Sequence, residues 1–358
     1  MAPQPPPNAP ADDTVSFDSF SGIKNVVKAW SLTPRDLERA VNIDLDDAGK
    51  VRRRRGRTLV RTEPHHSLFV SDNGKLIGVR DQQLGVIRAN YDFKPLGVEV
   101  GARPPTSQVA YVQVGDDIYF SSPHEAGVIS ESAETSRPWG PSADIWLSPV
   151  VNPTPGLPAI AGRLLGAPPL AGYLTYWNGR IYLAQGRTLW ATELYLYGMV
   201  DKTRNFFQFE ADITMLGAVG DGVYVGTAEG CWFLTGSNIK ELKRTRVLDS
   251  AVIPGSMVSM PSEMANPPQV DLGADQPVSL ALLFMTVNGY CAGQNSGQCY
   301  NLSEAKMIFP EAASASALYR KQDGLHQYVA VLNSGGDPTA STAIGDYVDA
   351  ELIRAADR

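Results

Sequence analysis

Tyr173-Leu-Thr-Tyr-Trp-Asn-Gly-Arg-Ile-Tyr-Leu183 reads as two apolar strands folded back on each other about Asn178-Gly179. Asn-Gly supplies the two positive-φ positions that a tight hairpin turn needs. The stretch continues through Gly186 to a third strand at Leu189-Trp190. The same unit recurs along the chain: Ser67–Val79 leads to Gln83–Ile87, Val109–Phe120 to Gly127–Ile129, and Ile213–Val225 to Trp232–Leu234. Ala281–Cys291 then leads to Cys299–Tyr300, and Ala315–Val331 closes the series. The first turn residues, Asn73, Asp116, Asn178, Asp221, Asn288 and Asp323, lie 43, 62, 43, 67 and 35 residues apart. Short strands in threes or fours with a period near 40–45 mark an all-β chain of the β-propeller type, here about six irregular blades over residues 65–335. The two long gaps place Pro-rich insertions near 130–169 and 244–276. A sandwich or an incomplete propeller is the competing architecture.

Composition agrees with this reading. Of 358 residues 19% are charged and 43% hydrophobic, with 33 Gly and 26 Pro. These values exclude a coiled coil, a collagen-like chain and a wholly disordered protein. The longest apolar run, Leu280 to Val287, is far short of the ~20 residues of a membrane-spanning helix. Met1-Ala-Pro-Gln-Pro-Pro-Pro7 has no apolar signal-peptide core, so nothing in the sequence is expected to send the chain through a membrane.

Ahead of the repeats, residues 1–14 are Pro-rich and read as disordered. Residues 15–64 read as a helix-and-hairpin module. Thr33-Pro34-Arg35-Asp36-Leu37-Glu38 offers a cap, Pro at the first helical position and acids in the first turn, which predicts about two turns of helix ending near Val41. Val41-Asn-Ile-Asp-Leu-Asp46 alternates as a strand, Asp46 to Lys50 turns, and Val51 to Val60 returns as its partner. Residues 336–358 form a tail in which Tyr347, Val348, Leu352 and Ile353 fit one face of a short helix.

Lys50 to Arg61 carries seven basic residues and no acid, while the remainder holds 24 basic against 38 acidic residues. So acidic a body does not grip a nucleic-acid backbone over a broad face. Arg52, Arg53, Arg54, Arg55 and Arg57 fall on the return strand, where alternate side chains point to opposite faces. The arginines are expected to pair with carboxylates, in cis or across a subunit boundary, and together with Asn42, Asp44, Asp46 and Asp47 of the hairpin they are the candidate residues for contact with a neighbouring subunit or an adaptor protein. Contact with a passing nucleic acid and a plain solvated strand are the alternatives.

Sites of chemistry are not legible. There is no Gly-x-Ser-x-Gly elbow, no His-Glu-x-x-His, no phosphate-binding glycine loop and no calcium loop. Cys231, Cys291 and Cys299 lack zinc-knuckle spacing and read as reduced, buried thiols. His65-His66 reads as solvated or core-edge rather than a metal pair, and Asp46-Asp47 and Asp116-Asp117 as turn residues. Tyr173, Tyr176, Trp177, Trp190, Tyr195, Tyr197 and Trp232 could build a sugar platform but read mainly as core. Catalytic, cofactor and metal residues are therefore expected to be absent.

One stretch resembles a known family. Phe20-Ser-Gly-Ile-Lys-Asn-Val26, Leu32-Thr-Pro34 and Ala40-Val-Asn-Ile-Asp-Leu-Asp-Asp-Ala-Gly-Lys-Val-Arg-Arg-Arg-Arg-Gly56 follow the opening pattern of tailed-phage virion proteins. Within these the pattern is most similar to the tail nozzle (tail tube terminal) proteins of short-tailed bacteriophages. It departs at Arg55, where relatives often carry Pro, and beyond residue 60 the likeness is one of blade architecture alone. The resemblance implies a non-catalytic virion protein assembled in the host bacterial cytoplasm. It further implies a hexameric ring of copies below the portal and its adaptor, meeting tail fibre or needle proteins, with double-stranded DNA passing transiently. A receptor-binding or glycan-processing tail propeller is the alternative.

Overall fold

The computed structural model describes residues 19–46, 48–54, 58–101, 108–150, 161–236, 239–260, 269–270, 278–279, 281–303, 306–322 and 325–333. The described chain is all-β, with short 3₁₀ turns at Ala29–Ser31 and Ile239–Glu241 and no α-helix among the described residues. It divides into two units, one of residues 1–56 with 303–308, the other of residues 57–302 with 309–358.

In the first unit β1 (Gly22–Ile23) pairs in parallel with β2 (Asp36–Leu37), and β3 (Ile43–Leu45) pairs antiparallel with β4 (Val51–Arg53). The helix expected from Thr33 is not formed. Thr33-Pro34-Arg35-Asp36 is a turn instead: the Asp36 amide donates to the Thr33 carbonyl at 3.0 Å, and the Asp36 carboxylate accepts from the Thr33 amide and hydroxyl at 3.1 and 2.8 Å. Pro at the second position serves a turn as well as a helix start, and pairing of Leu37 with Ile23 decides between them. The return strand is also shorter than expected and stops at Arg53. Asn42, just before β3, has φ 59°, so the ladder closes with the Arg54 amide on the Asn42 carbonyl; Thr58 to Val60 form no strand. Ser303–Ile308 is tied to this unit through Asn25, whose amide donates to the Lys306 carbonyl at 2.9 Å and whose side chain accepts from the Ile308 amide at 2.6 Å.

The second unit is a series of small antiparallel sheets. The first comprises β5 (His65–Val70), β6 (Leu76–Arg80), β7 (Gln83–Ile87) and β8 (Phe93–Glu99), hydrogen-bonded in that order. The second follows with β9 (Ala110–Val114), β10 (Asp117–Ser121), β11 (Ala126–Ser130) and β12 (Thr135–Pro138). A three-stranded sheet then joins β13 (Ile145–Leu147) and β14 (Arg163–Gly166) to β18 (Val200–Asp201). The third meander is β15 (Tyr173–Trp177), β16 (Arg180–Gln185), β17 (Thr188–Ala191) and β19 (Phe206–Gln208). The fourth is β20 (Ile213–Val219), β21 (Gly222–Thr227), β22 (Gly230–Thr235) and β23 (Lys243–Leu248). In the fifth, β24 (Val258–Ser259) is followed after the small hairpin β25 (Gln269–Val270) and β26 (Val278–Ser279) by β27 (Leu282–Thr286), β28 (Gly289–Gly293) and β29 (Cys299–Asn301). The long hairpin β30 (Ser314–Gln322) and β31 (Leu325–Asn333) ends the described chain.

Sheets stack face to face in chain order, as propeller blades do, and strand alternation explains how. In β10, Ile118 and Phe120 meet Ile77, Val79 and Leu84 of the first sheet, while Tyr119 between them joins Leu174, Ile181 and Leu183 of the third. In β16, Tyr182 and Ala184 turn the other way and pack on Leu216, Val223 and Val225 of the fourth. Tyr224 of β21 in turn meets Leu282, Phe284 and Cys291 of the fifth. Strands buried on both faces must be apolar at successive positions, and each such side chain contributes about 1.5–3 kcal/mol.

The turns order the stack. In four sheets the expected turn joins first and second strands, as at Asn178 (φ 47°) and Gly179 (φ 74°) between β15 and β16. The fifth differs: Asn288 lies between β27 and β28, its second and third strands. Part of the 67-residue spacing before Asn288 is thus a shift of one strand in phase. Segments 130–169 and 244–276 also supply β12, β23 and β24 to regular sheets, besides looping out. The Asp323 turn, residues 1–14 and the 336–358 tail lie outside the described residues.

Candidate protein-interaction surface

The hairpin β3–β4 sets out the residues expected to make contacts. Asp44 sits opposite Arg52 in the register, yet its carboxylate accepts from Nε of Arg54 at 2.9 Å, and Asp44 is only 5% exposed. Asp46 serves the turn: one carboxylate oxygen accepts the amides of Ala48 and Lys50 at 3.0 and 2.8 Å. The Asn42 carbonyl accepts the Arg54 amide at 3.0 Å. Asp47, Arg55 and Arg57 lie outside the described residues. Of the arginine run, Arg52 and Arg53 are exposed on β4 with no side-chain partner among the described residues.

Those two are not alone. Arg35, Arg39 and Lys50 are also exposed without a side-chain partner, and exposed Lys28 lies 5.0 Å from the ring of Trp30. Main-chain bonds draw two of these positions together. The Phe20 amide donates to the Gly49 carbonyl at 2.7 Å and the Ser21 amide to the Arg35 carbonyl at 2.8 Å, so Arg35 and Lys50 flank one short segment, with Arg52 and Arg53 just beyond on β4. Three of the acids of this unit are engaged within it, while Glu38 is exposed. Asp36 is held below its ordinary carboxylate range chiefly by the Thr33 hydroxyl and amide, and Asp44 and Asp46 are engaged as above. Residues 19–56 hold nine basic against five acidic residues, and residues 57–358 hold 22 against 30. Trp30 is 80% exposed, and Val41 and Val51 add apolar surface. Such a surface suits an anionic macromolecular partner.

No family model matches the chain, and no curated protein matches it. Among solved structures, BBS1N in complex with ARL6DN is 11% identical over 73% of each chain with a TM-score of 0.43. The WD40 domain of Neurospora crassa Pan2 is 10% identical over 74% of this chain and 70% of its own, with a TM-score of 0.41. An extracellular domain of a putative hybrid two-component system from B. thetaiotaomicron is 10% identical with a TM-score of 0.41, over 77% of this chain and 32% of that one. These likenesses are partial, and the propeller-like order of the sheets stands on the strand topology itself.

The second unit adds polar groupings that residue patterns did not disclose. Glu131, 3% exposed in the β11–β12 turn, accepts from the Ser71 hydroxyl, from the Asn73 side chain at 2.7 Å and from the Gln113 side chain at 2.8 Å. Lys75 donates to its carbonyl at 2.5 Å and to Glu134 at 3.2 Å, and Lys94 donates to Glu134 at 2.9 Å. This clasp joins the first-turn end of one sheet to the next. The Ser71 bond foremost holds the Glu131 carboxyl below its usual range, and Lys94 foremost draws Glu134 down to about 2.

Asp201, fully buried, receives Nε of Arg163 and of Arg204, each at 2.8 Å, and closes the three-stranded sheet. The aromatics considered for a sugar platform mostly fill the core margins: Tyr173, Trp177 and Trp232 pack on one cluster, and Tyr176, Trp190 and Tyr197 on another. Only Tyr195 of that set is strongly exposed. His65 and His66 engage the Glu63 carbonyl and the Ser67 hydroxyl. Cys231 and Cys291 are buried and Cys299 half-buried, all three as free thiols.

Proposed function

We propose that this protein is a non-enzymatic structural subunit of a short-tailed phage tail, forming a nozzle ring below the portal and adaptor through which DNA is ejected. The body is then a propeller of about six irregular blades, with the N-terminal unit as its assembly module. One observation carries the reading: the segment whose sequence resembles the nozzle family, residues 20–56, folds as a separate small unit presenting unneutralised Arg52 and Arg53. An acidic body suits a conduit, because a like-charged wall keeps passing DNA from sticking. Copies of itself, portal-adaptor proteins and tail fibre or needle proteins are the partners, and the location is the virion.

Quantitative mass spectrometry of purified virions tests this. About one copy for every two portal subunits is the expected result, as a sixfold ring below a twelvefold portal requires. Absence of the chain from the particle refutes the reading. A receptor-binding tail propeller is the second reading, favoured by exposed Trp146 of β13 (58%) and by exposed Tyr195, whose amide bonds to Gly179 of the β15–β16 turn. A copy number in multiples of three per fibre site would support it.

A further inference from the structure

The sheet stack has two unlike ends. In a four-stranded meander the turn between second and third strands lies at the end where the first strand enters and the fourth leaves. Main-chain bonds keep this end in common from sheet to sheet: the Val100 amide donates to Gln82, Ile213 to Gly186, and Val252 to Thr227. A Cβ on Gly101, just past β8, would meet the His124 ring of the β10–β11 loop at 2.2 Å. Glu99 ends β8, Glu125 lies in the β10–β11 loop, Asp212 precedes β20, and Glu229 lies in the β21–β22 turn. All four are exposed, and among the described residues none of their carboxylates is ion-paired, although the Glu229 main-chain carbonyl accepts from the Arg246 guanidinium at 2.8 Å. Other charges of the described residues here are largely matched, Arg80 with Asp81 at 3.8 Å and Arg246 with Asp249 at 2.5 Å, which leaves Arg187 as an unpaired cation among them.

We propose that copies of this chain associate head to tail, with the cationic N-terminal unit of one copy seated on this acidic end of the next. The N-terminal unit offers five exposed cations without side-chain partners, Arg35, Arg39, Lys50, Arg52 and Arg53, and the acidic end offers four carboxylates in the same condition. Opposite charges steer encounter and fix orientation across an interface, and exposed Trp30 supplies an apolar anchor. Because the joining surfaces differ, the contact is heterologous, and repeated it closes a ring or grows a filament. Duplex DNA fits the same cations less well, since the exposed acids of the body repel a phosphate backbone. The inference rests on the ring reading only in choosing a second copy as the occupant.

Sedimentation of the purified full-length chain at low and high ionic strength is the test, with two folded charge-reversal variants, Arg52→Glu/Arg53→Glu and Glu125→Arg/Glu229→Arg. The expected result is a salt-sensitive oligomer for the natural chain and association at least about tenfold weaker for either variant. Mixing the two variants restores assembly, because each supplies what the other lacks. A natural chain that stays monomeric at low salt overturns the proposal, as do variants that assemble normally. Duplex DNA binding by a monomeric natural chain, lost in Arg52→Glu/Arg53→Glu, overturns it in favour of nucleic acid. Salt-sensitive assembly of a chain absent from virions would sink the tail reading and leave this contact standing.

Discussion

Replacing Glu131 probes whether the stacked sheets are fastened at their rims as well as through their apolar faces. The carboxylate accepts four hydrogen bonds: from the Ser71 hydroxyl, the Asn73 amide at 3.3 Å, the Asn73 side chain at 2.7 Å and the Gln113 side chain at 2.8 Å. Bonds to a charged group contribute about 1.5–3 kcal/mol each, so the gross value is roughly 6–12 kcal/mol. Against it stands the cost of keeping an ion out of water, which the substitution removes. The net loss expected for Glu131→Ala is about 3–5 kcal/mol, because each neutral donor of Ser71, Asn73 and Gln113 left without an acceptor costs about 1–3 kcal/mol. Glu131→Gln keeps the shape. Its amide group must then face either the Asn73 main-chain N–H or the side-chain donors, and the expected cost is about 1–2 kcal/mol.

Urea unfolding followed by tryptophan fluorescence reads both values, and hydrogen exchange locates the effect in β5–β12. The pH dependence gives a second check. Glu131 and Glu134 both titrate below their ordinary value of 4.5 in the folded chain, Glu134 at about 2. Their stabilisation is therefore complete above about pH 4.5 and is lost as the pH falls toward 2. The gap between the natural chain and Glu131→Gln must narrow between neutral pH and pH 3. A Glu131→Ala variant within about 0.5 kcal/mol of the natural chain at neutral pH would refute the clasp, since that is the scatter of an ordinary surface change.

Two further outcomes follow from the packing. In Gly222→Ala the new Cβ would stand 2.3 Å from the Leu234 carbonyl oxygen and 2.7 Å from Phe233, which costs about 1–3 kcal/mol or more and lowers the thermal midpoint in calorimetry. Asp201→Ala leaves Arg163 and Arg204 without their buried partner and should cost about 3–5 kcal/mol, with loss of exchange protection at Leu164 to Gly166 while β20–β23 stay protected.

The blades were legible where local chemistry and tertiary packing ask for the same residues. Asn178-Gly179 must be a turn because both residues hold positive φ, and Tyr182 to Ala184 must be a strand because both faces are covered. Fourth strands such as Phe93–Glu99 and Lys243–Leu248 were harder to read. They line the outer edge, bury one face in part, and carry mixed polar residues without a strict alternation. The turn at Thr33 failed for another reason: Pro at the second position and Asp at the fourth satisfy a β-turn as fully as a helix start, and only the distant partner Ile23 separates the two.

Phase was the harder quantity, and it bears on the candidate surface. A period counts turns without saying which pair of strands each turn joins. Asn288 looks like its counterparts, yet it sits one strand later in its sheet, at the opposite end from Asn178. Only when phase is fixed can a residue be assigned to an end of the stack, which is why the arginine run was visible in sequence while Glu99, Glu125, Asp212 and Glu229 were not. The arginines are neighbours in the chain. The four acids span 131 residues and become one group solely because successive meanders enter and leave on the same side. Charge counting along a sequence therefore detects a patch only when it is local, and a surface built from one residue per blade needs the topology first. The same reasoning separates Arg54 from Arg53: adjacent in sequence, they differ because Asp44 lies within 2.9 Å of Arg54, which leaves Arg53 free to meet another molecule.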